Sequence, residues 1–292
     1  MSIAASASAQ ELEPRAYRTI PTGLNFVLFN FSYSSGNVLS DPTAPIQDLD
    51  VNLRTSVVAY FRSFGLFGRS TSFSAAIPHV YLSGSAKLEG EPVSGSRSGP
   101  ADARFRLTVN LLGGPALTPK EFAKYRQRRN LGVSLSIIAP TGQYDSSRLI
   151  NFGSNRWSFK PEFGYSSIRG KWIFEGAIGV WLFTDNTDFA GGAVREQDPV
   201  GSIQGHVSYN LKPTLWLALD GNYFTGGETT INGLDKQDLQ RSSRVGLTLS
   251  LPLRRRHSLK IAAHTGAYTR VGADFDIVTV AYLYQWGGRS KK

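Results

Sequence analysis

Residues 101–111 read ADARFRLTVNL, and this stretch alternates strictly between apolar and polar side chains. Phe105 and Leu107 lie on one face of an extended chain, whereas Arg104 and Arg106 lie on the other. A period of two residues is typical of a β-strand with one apolar and one wet side. The density of charge on the polar face raises the question of which side faces the core.

Four further stretches, 156–165, 203–211, 215–223 and 244–253, alternate in the same way. Each is close to the roughly 9–11 residues that a tilted strand needs to cross a bilayer, which is about twice the length of a soluble strand. Aromatic side chains also gather at the ends of the predicted strands, as interfacial girdles do. These are Phe29, Phe31, Tyr33, Trp157, Tyr165, Tyr282, Tyr284 and Trp286. The pattern favours strands that cross a membrane.

The whole chain contains twelve such segments. They are 23–34, 50–62, 70–82, 101–112, 129–140, 155–166, 171–184, 199–211, 214–224, 241–253, 257–268 and 275–286. The sequence therefore predicts an all-β fold, a transmembrane antiparallel up-and-down β-barrel of about twelve strands in a bacterial outer membrane. An even number places both termini on the periplasmic side. Pro78 and Pro140 must lie at a strand end or a bulge.

The predicted links differ in length in the order that a barrel requires, with long extracellular loops and mostly short periplasmic turns. The long links are 35–49, 83–100, 141–154, 185–198 and 225–240, and the short ones are 63–69, 167–170, 212–213 and 254–256. Two links depart from this order, since 269–274 is short and 113–128 is long. In the latter, we expect a short helix with Thr118 as N-cap and Pro119 at its first position.

Composition narrows the classes of partner. The net charge is +10, but the basic residues are scattered and no nucleic-acid-binding motif is present, so no nucleic acid partner is expected. Cysteine is absent, which excludes disulfides and thiolate chemistry. No run of 18 apolar residues is present, so no membrane-spanning helix is expected.

The chain ends are interpreted separately from the barrel. Ala7-Ser8-Ala9 has the form of a signal-peptidase site, so the chain is expected to start inside a secretory signal with maturation near Gln10; a disordered tail is the alternative. The predicted organisation is residues 1–22 as residual signal and N-terminal extension, 23–286 as the barrel and 287–292 as a C-terminal tail.

If the apolar faces meet lipid, the polar faces line the bore. A salt-bridged network that keeps the barrel rigid is one interpretation of these inward side chains; a basic constriction that binds solutes is the other. The candidate substrate-binding residues are Arg54, Arg104, Arg106, Arg156, Lys160, Glu162, Glu175, His206, Asp220, Arg244, Lys260 and His264. A barrel of this size predicts a narrow or plugged bore, not a wide channel.

Enzymatic and metal chemistry find little support in the sequence. His206 and Ser208 share a face, but no nucleophile elbow and no third member of a triad can be named. Two inward His residues without cysteine form a poor metal site. Asp185 and Asp188 lack the spacing of a calcium loop. No catalytic residue, metal or cofactor is therefore predicted, and the protein is not expected to be an enzyme.

Several motifs resemble the outer-membrane proteins of the family named for the MetA pathway of phenol degradation, which are labelled as transporters. They are Gly99-Pro100-Ala101-Asp102-Ala103-Arg104, Ala139-Pro140-Thr141-Gly142, Asn155-Arg156-Trp157, Lys160-Pro161, Leu251-Pro252-Leu253, His257-Ser258-Leu259-Lys260, Thr269-Arg270 and Asp274-Phe275-Asp276. The resemblance covers most of the chain from about residue 23 onward. It implies an outer-membrane location and uptake of hydrophobic or aromatic compounds.

The favoured function is a channel or transporter for small molecules, including hydrophobic or aromatic ones. A lipid-modifying barrel enzyme, a non-conducting structural or ligand-binding barrel and a soluble β-sandwich binding module remain as alternatives. The expected partners are outer-membrane lipid, the outer-membrane assembly machinery and a small-molecule solute. The final strand, with Tyr282, Tyr284 and Trp286, resembles the terminal assembly signal of such barrels, although the tail beyond it departs from the usual terminal aromatic residue.

Overall fold

The protein is described by a computed structural model that covers residues 12–39, 46–88, 90–148, 150–212 and 214–288. Of the predicted residual signal and N-terminal extension at residues 1–22, residues 1–11 lie outside the described residues. Seventeen strands and one short helix are described, and they follow one another along the chain as listed here. They are β1 Leu24–Leu39, β2 Ile46–Leu66, β3 Arg69–Leu88, β4 Glu91–Pro100, β5 Ala103–Leu112, α1 Pro119–Phe122, β6 Arg129–Ala139, β7 Ser158–Arg169, β8 Trp172–Phe183, β9 Asn186–Phe189, β10 Ala193–Gln197, β11 Val200–Asn210, β12 Trp216–Gly226, β13 Thr229–Ile231, β14 Leu234–Asp235, β15 Gln240–Arg254, β16 His257–Thr269 and β17 Gly272–Gly287.

Twelve of these strands close into an antiparallel barrel, as the alternation predicts. Neighbours in the sheet follow the order β1, β2, β3, β5, β6, β7, β8, β11, β12, β15, β16 and β17. β17 then pairs with β1 along the full length of both strands, from Leu24 opposite Gly287 to Leu39 opposite Gly272. The barrel has no free edge because its first and last strands join. All twelve predicted segments correspond to barrel strands.

The barrel strands turn their apolar faces outward. Phe29, Val58 and Ile77 lie beside one another across β1, β2 and β3, and all three are exposed. The aromatic side chains of the girdles also point outward, including Tyr33 and Tyr81 at one end of the barrel and Tyr60 at the other. This orientation suits acyl chains outside the barrel and polar groups within it.

At the periplasmic end, tight turns join most strand pairs. Phe67 and Gly68 connect β2 to β3, and both have positive φ, as the two-residue turn of a right-twisted hairpin requires. The long link at 113–128 holds α1 as predicted. Thr118 is its N-cap and forms a capping box with Glu121, whose carboxylate accepts from the Thr118 N–H at 2.8 Å.

The extracellular end contains more strand than the sequence indicates. β3 continues to Leu88 and pairs with β4, so the link predicted at 83–100 is largely a hairpin that extends beyond the barrel. A separate four-stranded sheet of β9, β10, β13 and β14 fills the links predicted at 185–198 and 225–240. Serine and glycine make up half of residues 83–100, and the other two stretches are rich in Gly, Thr and Asp, so none of them shows the apolar alternation of the barrel strands.

The two proline residues lie where the ladder tolerates them. Pro78 is inside β3, at the point where its neighbour changes from β5, paired up to Ala76, to β4, paired from His79. Its carbonyl accepts from the Ala101 N–H at 2.9 Å. Pro140 follows the last residue of β6 directly.

Within the described residues, no helix has the length and apolar character needed to span a membrane.

Candidate functional site

Residues 12–22, here called the plug segment, enter the barrel from the periplasmic end before β1 begins. Side chains of β5, β6, β7, β8, β11 and β12 contact this segment. At its exit, the Ser63 hydroxyl donates to the Pro21 carbonyl at 2.6 Å, and the Thr22 N–H donates to the Leu117 carbonyl at 2.8 Å. The plug segment therefore occupies the periplasmic half of the bore and is attached to its rim.

Tyr17 is the centre of the plug segment's contacts. Its side chain is only 3% exposed, and its hydroxyl donates to Glu162 Oε1 at 2.7 Å and lies 2.9 Å from Ser134 Oγ. Arg106 joins the same group: its Nη2 donates to Glu162 Oε1 at 2.9 Å, and its guanidinium carbon lies 5.5 Å from the Tyr17 ring centroid. Burial, followed by the charge of Glu162, raises the pKa of Tyr17, so the hydroxyl stays protonated and keeps donating.

Two glycines of the barrel wall make room for the Tyr17 ring. Gly132 of β6 and Gly164 of β7 are direct cross-strand partners. A Cβ added at Gly132 would lie 2.8 Å from the ring, and one added at Gly164 would overlap it. No other residue type fits this pair without moving Tyr17. The two glycines therefore form a slot for the ring, here called the glycine slot.

A second group of contacts holds the plug segment near the periplasmic rim. The Arg15 backbone N–H donates to Glu175 Oε2 at 2.8 Å, and its guanidinium donates to Asn210 Oδ1 at 2.9 Å. The same guanidinium stacks 4.0 Å over the ring of Trp216. Burial lowers the pKa of Arg15 to about 9, with a further lowering from Arg18, so Arg15 remains charged at neutral pH.

Further inward polar side chains extend a polar network from Glu162 across β11 and β12. Lys160 Nζ lies 2.6 Å from Glu162 Oε2, which also accepts from Gln204. Asp220 lies 2.7 Å from His206 Nδ1 and accepts from Thr248 Oγ1 at 2.6 Å. Buried carboxylates are thus paired with cations or hydroxyls, as burial requires.

Most of the predicted bore residues lie where the alternation places them. Ten are inward-facing strand residues, and Arg156 is buried in the extracellular loop just before β7. The ten are Arg104, Arg106, Lys160, Glu162, Glu175, His206, Asp220, Arg244, Lys260 and His264. Among them, Arg106, Glu162 and Glu175 contact the plug segment. Arg244 instead donates to the Phe275 carbonyl.

The inward orientation predicted for Arg54 is wrong. In β2 the inward residues are Val51, Leu53, Thr55 and Val57, so Arg54 faces outward, with its guanidinium carbon 5.7 Å from the Tyr81 ring centroid. The prediction assumed that every charged face turns inward. Arg54 instead lies in the aromatic girdle, where a long cationic side chain reaches the interface.

One side of the bore is apolar rather than charged. Phe26 and Leu28 of β1, with Val57 and Phe61 of β2, face inward and are here called the apolar wall. The rings of Phe26 and Phe61 meet edge to face with centroids 5.3 Å apart. All four side chains are only half-buried although they face inward, so space remains beside them. The bore therefore combines a filled polar side with a partly open apolar side.

The loop between β6 and β7 packs at the extracellular end of the barrel. Asp102 holds it, accepting from the backbone N–H groups of Gly142 and Ser154 at 2.8 Å each, and from the Ser154 hydroxyl at 2.6 Å. Phe152 of this loop packs into an apolar cluster with Val51, Val80 and Phe275. Asp102 and Phe152 thus attach the loop to the extracellular end of the barrel, and further hydrogen bonds, such as that from Arg97 Nη1 to the Ile150 carbonyl, add to this attachment.

Replacing Asp102 with alanine is expected to release this loop. Three hydrogen bonds to a charged acceptor, each worth roughly 1.5–3 kcal/mol, would be lost while the barrel strands keep their pairing. Limited trypsin digestion of the membrane-embedded protein should then cut at Arg148 many times faster than in the wild type. Asp188→Ala, at an exposed aspartate of β9, is the control and should digest at the wild-type rate.

The geometry does not assemble a hydrolase. His206 Nδ1 is directed to Asp220, but its Nε2 lies 3.4 Å from Gln204 Oε1. The Ser208 hydroxyl is fully buried and has no hydrogen-bond partner. Among the residues that the structure describes, no group of three His, Asp or Glu side chains is placed to hold a metal ion.

The plug segment and the apolar wall were not predicted from the sequence. The hydrogen-bond partners of Tyr17 lie far from it in sequence, since Ser134 is 117 residues away and Glu162 is 145 residues away. The apolar wall breaks the rule that inward residues are polar. A detectable signal existed only for the wall, because β2 carries Val57, Val58 and Ala59 in succession, an apolar run on both faces.

Solved structures share this architecture. An outer membrane channel from Pseudomonas putida F1 superposes with a TM-score of 0.81 at 20% identity, covering 94% of this chain and 100% of that one. The beta domain of the Bordetella autotransporter BrkA gives a TM-score of 0.52 at 10% identity, covering 91% and 99%. The transport unit of the autotransporter AIDA-I from Escherichia coli gives 0.52 at 6%, covering 97% and 96%. These similarities show the fold.

No curated protein sequence matches the chain. A family model does match, over residues 30–273, which is most of the barrel. The fold and its neighbours place the protein in the bacterial outer membrane. Because this match spans most of the chain, the chain belongs to the family described as "Putative MetA-pathway of phenol degradation".

Proposed function

We propose that the protein is a narrow, non-enzymatic channel for small and largely apolar solutes, held closed in its periplasmic half by the plug segment. The observation that carries this proposal is the set of contacts that Tyr17 makes with Glu162, Ser134 and Arg106 inside the bore, here called the Tyr17 node. A side chain from outside the sheet is inserted into the barrel, fits a slot of two glycines and joins a charged group. Because the plug segment is not a strand of the sheet, it could leave the bore without breaking a barrel ladder, as a gated passage requires.

The apolar wall supports the class of solute. Half-buried Phe26, Leu28, Val57 and Phe61 offer an apolar surface along the bore beside the polar network. A solute with a hydrophobic or aromatic body gains free energy by leaving water for such a wall. Sugars and other strongly hydrated solutes gain little there. We therefore expect small molecules with an apolar body to pass in preference to polar solutes of equal size.

Single-channel recording in planar bilayers, comparing the wild type with Gly164→Leu, tests the proposal. Leucine at this position fills the volume of the Tyr17 ring, so the plug segment should leave its slot. The wild type is expected to give small and infrequent openings, and the variant a conductance several-fold larger. The outward-facing Gly176 of the neighbouring strand is the matched control, because the nearest atom to a Cβ there is 3.8 Å away.

The outcomes separate a channel from a structural barrel. Gly176→Leu should conduct like the wild type. If Gly164→Leu folds, as judged by heat-modifiable migration in gels, and yet conducts no more than the wild type, the channel proposal is wrong.

The aromatic residues of β17 all face outward; they are Tyr282, Tyr284 and Trp286. This orientation supports the further proposal that the assembly machinery binds the terminal strand.

A further inference from the structure

Arg156 carries a buried positive charge at the extracellular end of the bore. Its side chain lies just before β7 and the residue is only 4% exposed. Its Nη2 donates to Gln197 Oε1, whereas its Nε and Nη1 have no hydrogen-bond partner. A guanidinium has five N–H donors in a fixed plane. Most of the donors of Arg156 are therefore unused in a place that water hardly reaches.

The surroundings do not neutralise this charge. Across the described residues, no carboxylate lies within ion-pair distance of Arg156, and the nearby Asp102 is occupied by Gly142 and Ser154. Arg195 adds a second positive charge, and only the more distant fields of Asp185 and Asp102 favour the cation. Burial lowers the pKa of Arg156 to about 9, which leaves it charged at neutral pH. A buried charge without a counter-ion is unfavourable, so an anion that reached Arg156 would be stabilised there.

The wall around Arg156 is aromatic. Its guanidinium carbon lies 4.4 Å from the centroid of the Phe183 ring. Trp181, two residues earlier on the same face of β8, packs with Ile138, Val200 and Phe224 in a buried cluster against which Phe183 also lies. The Trp181 indole N–H is a second buried donor without a partner. The mouth of the bore thus holds two unused donors on an apolar surface.

We propose that Arg156 and Trp181 bind the carboxylate of an otherwise apolar solute, with its ring or alkyl body against Phe183. This inference rests on the proposed channel function and narrows its solute class to apolar monocarboxylates. A carboxylate is planar and singly charged, and it pairs with one guanidinium through short charge-assisted bonds. Its apolar body would contact the same aromatic cluster from which it later reaches the apolar wall.

Isothermal titration of the purified full-length barrel in detergent with benzoate tests this inference. Benzamide has nearly the same shape without the charge and is the matched ligand. We expect saturable benzoate binding that Arg156→Gln weakens by roughly tenfold or more, since hydrogen bonds to charged groups are the stronger class. Arg156→Lys should restore part of the affinity, and Trp181→Phe should weaken it by a smaller factor. The weaker binding of benzamide should change little in any of these variants.

Arg169→Gln, at the exposed far end of β7, is the control for removing one positive charge and should bind benzoate like the wild type. The inference is overturned if benzoate does not bind, or if Arg156→Gln and Arg169→Gln bind it equally. Arg156→Lys and Trp181→Phe keep the test valid should Arg156→Gln fail to fold. Failure of this inference can be told apart from failure of the channel proposal. If Gly164→Leu opens the pore but Arg156→Gln binds benzoate as tightly as the wild type, only the carboxylate site is wrong.

Discussion

A chain that lacks residues 1–20 is expected to form a permanently open pore with a conductance many-fold above that of the full-length protein. The deletion removes Arg15 and Tyr17, which fill the periplasmic half of the bore, and keeps Pro21, whose carbonyl is bound by Ser63 at the rim. A twelve-stranded barrel lies between filled eight-stranded and open sixteen-stranded ones, so its unblocked bore should be narrow but continuous. Planar-bilayer recording measures the change directly.

Adding the missing segment back provides the control. A peptide of residues 12–22 applied from the periplasmic side should block the truncated pore, and the same peptide with Tyr17→Ala should block it much less. The reason is that Tyr17 alone enters the glycine slot and contacts Glu162, Ser134 and Arg106. A truncated barrel that folds but conducts no more than the full chain would show that something other than the plug segment closes the bore.

Val58→Arg is expected to destabilise the barrel in lipid by about 2–4 kcal/mol, the cost of arginine near the bilayer midplane on the lipid face. Val58 is 53% exposed on the outer surface, between Arg54 and Tyr33 towards one interface and Tyr60 towards the other. Reversible unfolding by denaturant in liposomes gives the free energy of unfolding.

The neighbouring Val57 supplies a matched control for this change. It has the same side chain on the same strand but faces the partly open side of the bore. Val57→Arg should cost far less than Val58→Arg, because its charge can reach the polar interior. Equal losses at the two positions, or a larger loss at Val57, would contradict the assignment of lipid and bore faces.

The alternation of the strands was sufficient to predict the barrel. In a closed sheet each residue lies either outward or inward, so runs such as Ala103–Leu112 reveal both the strand and its two environments. The same argument placed Arg106, Glu162 and His206 inside. It failed for Arg54, because a charge at the membrane interface is tolerated on the outside. The alternation predicts which side of the sheet a residue faces, but it does not show how deep in the membrane the residue lies.

The candidate site depends on contacts that sequence spacing does not encode. The Tyr17 node joins residues from the chain start, β5, β6 and β7, and each of these residues is unremarkable in its own segment. The unpaired state of Arg156 is likewise visible only once Gln197 and Phe183 are placed beside it. Local patterns specify secondary structure and facing, whereas tertiary juxtaposition decides which polar groups are satisfied.

The seam between β1 and β17 has a consequence for biogenesis. The sheet cannot close until both ends of the polypeptide are present, and the plug segment is covalently joined to β1, one of the two strands that meet there. It is therefore beside the opening when the last ladder forms, and it becomes enclosed in the same event. When this seam is the last ladder to form, the bore is therefore already occupied as the barrel closes.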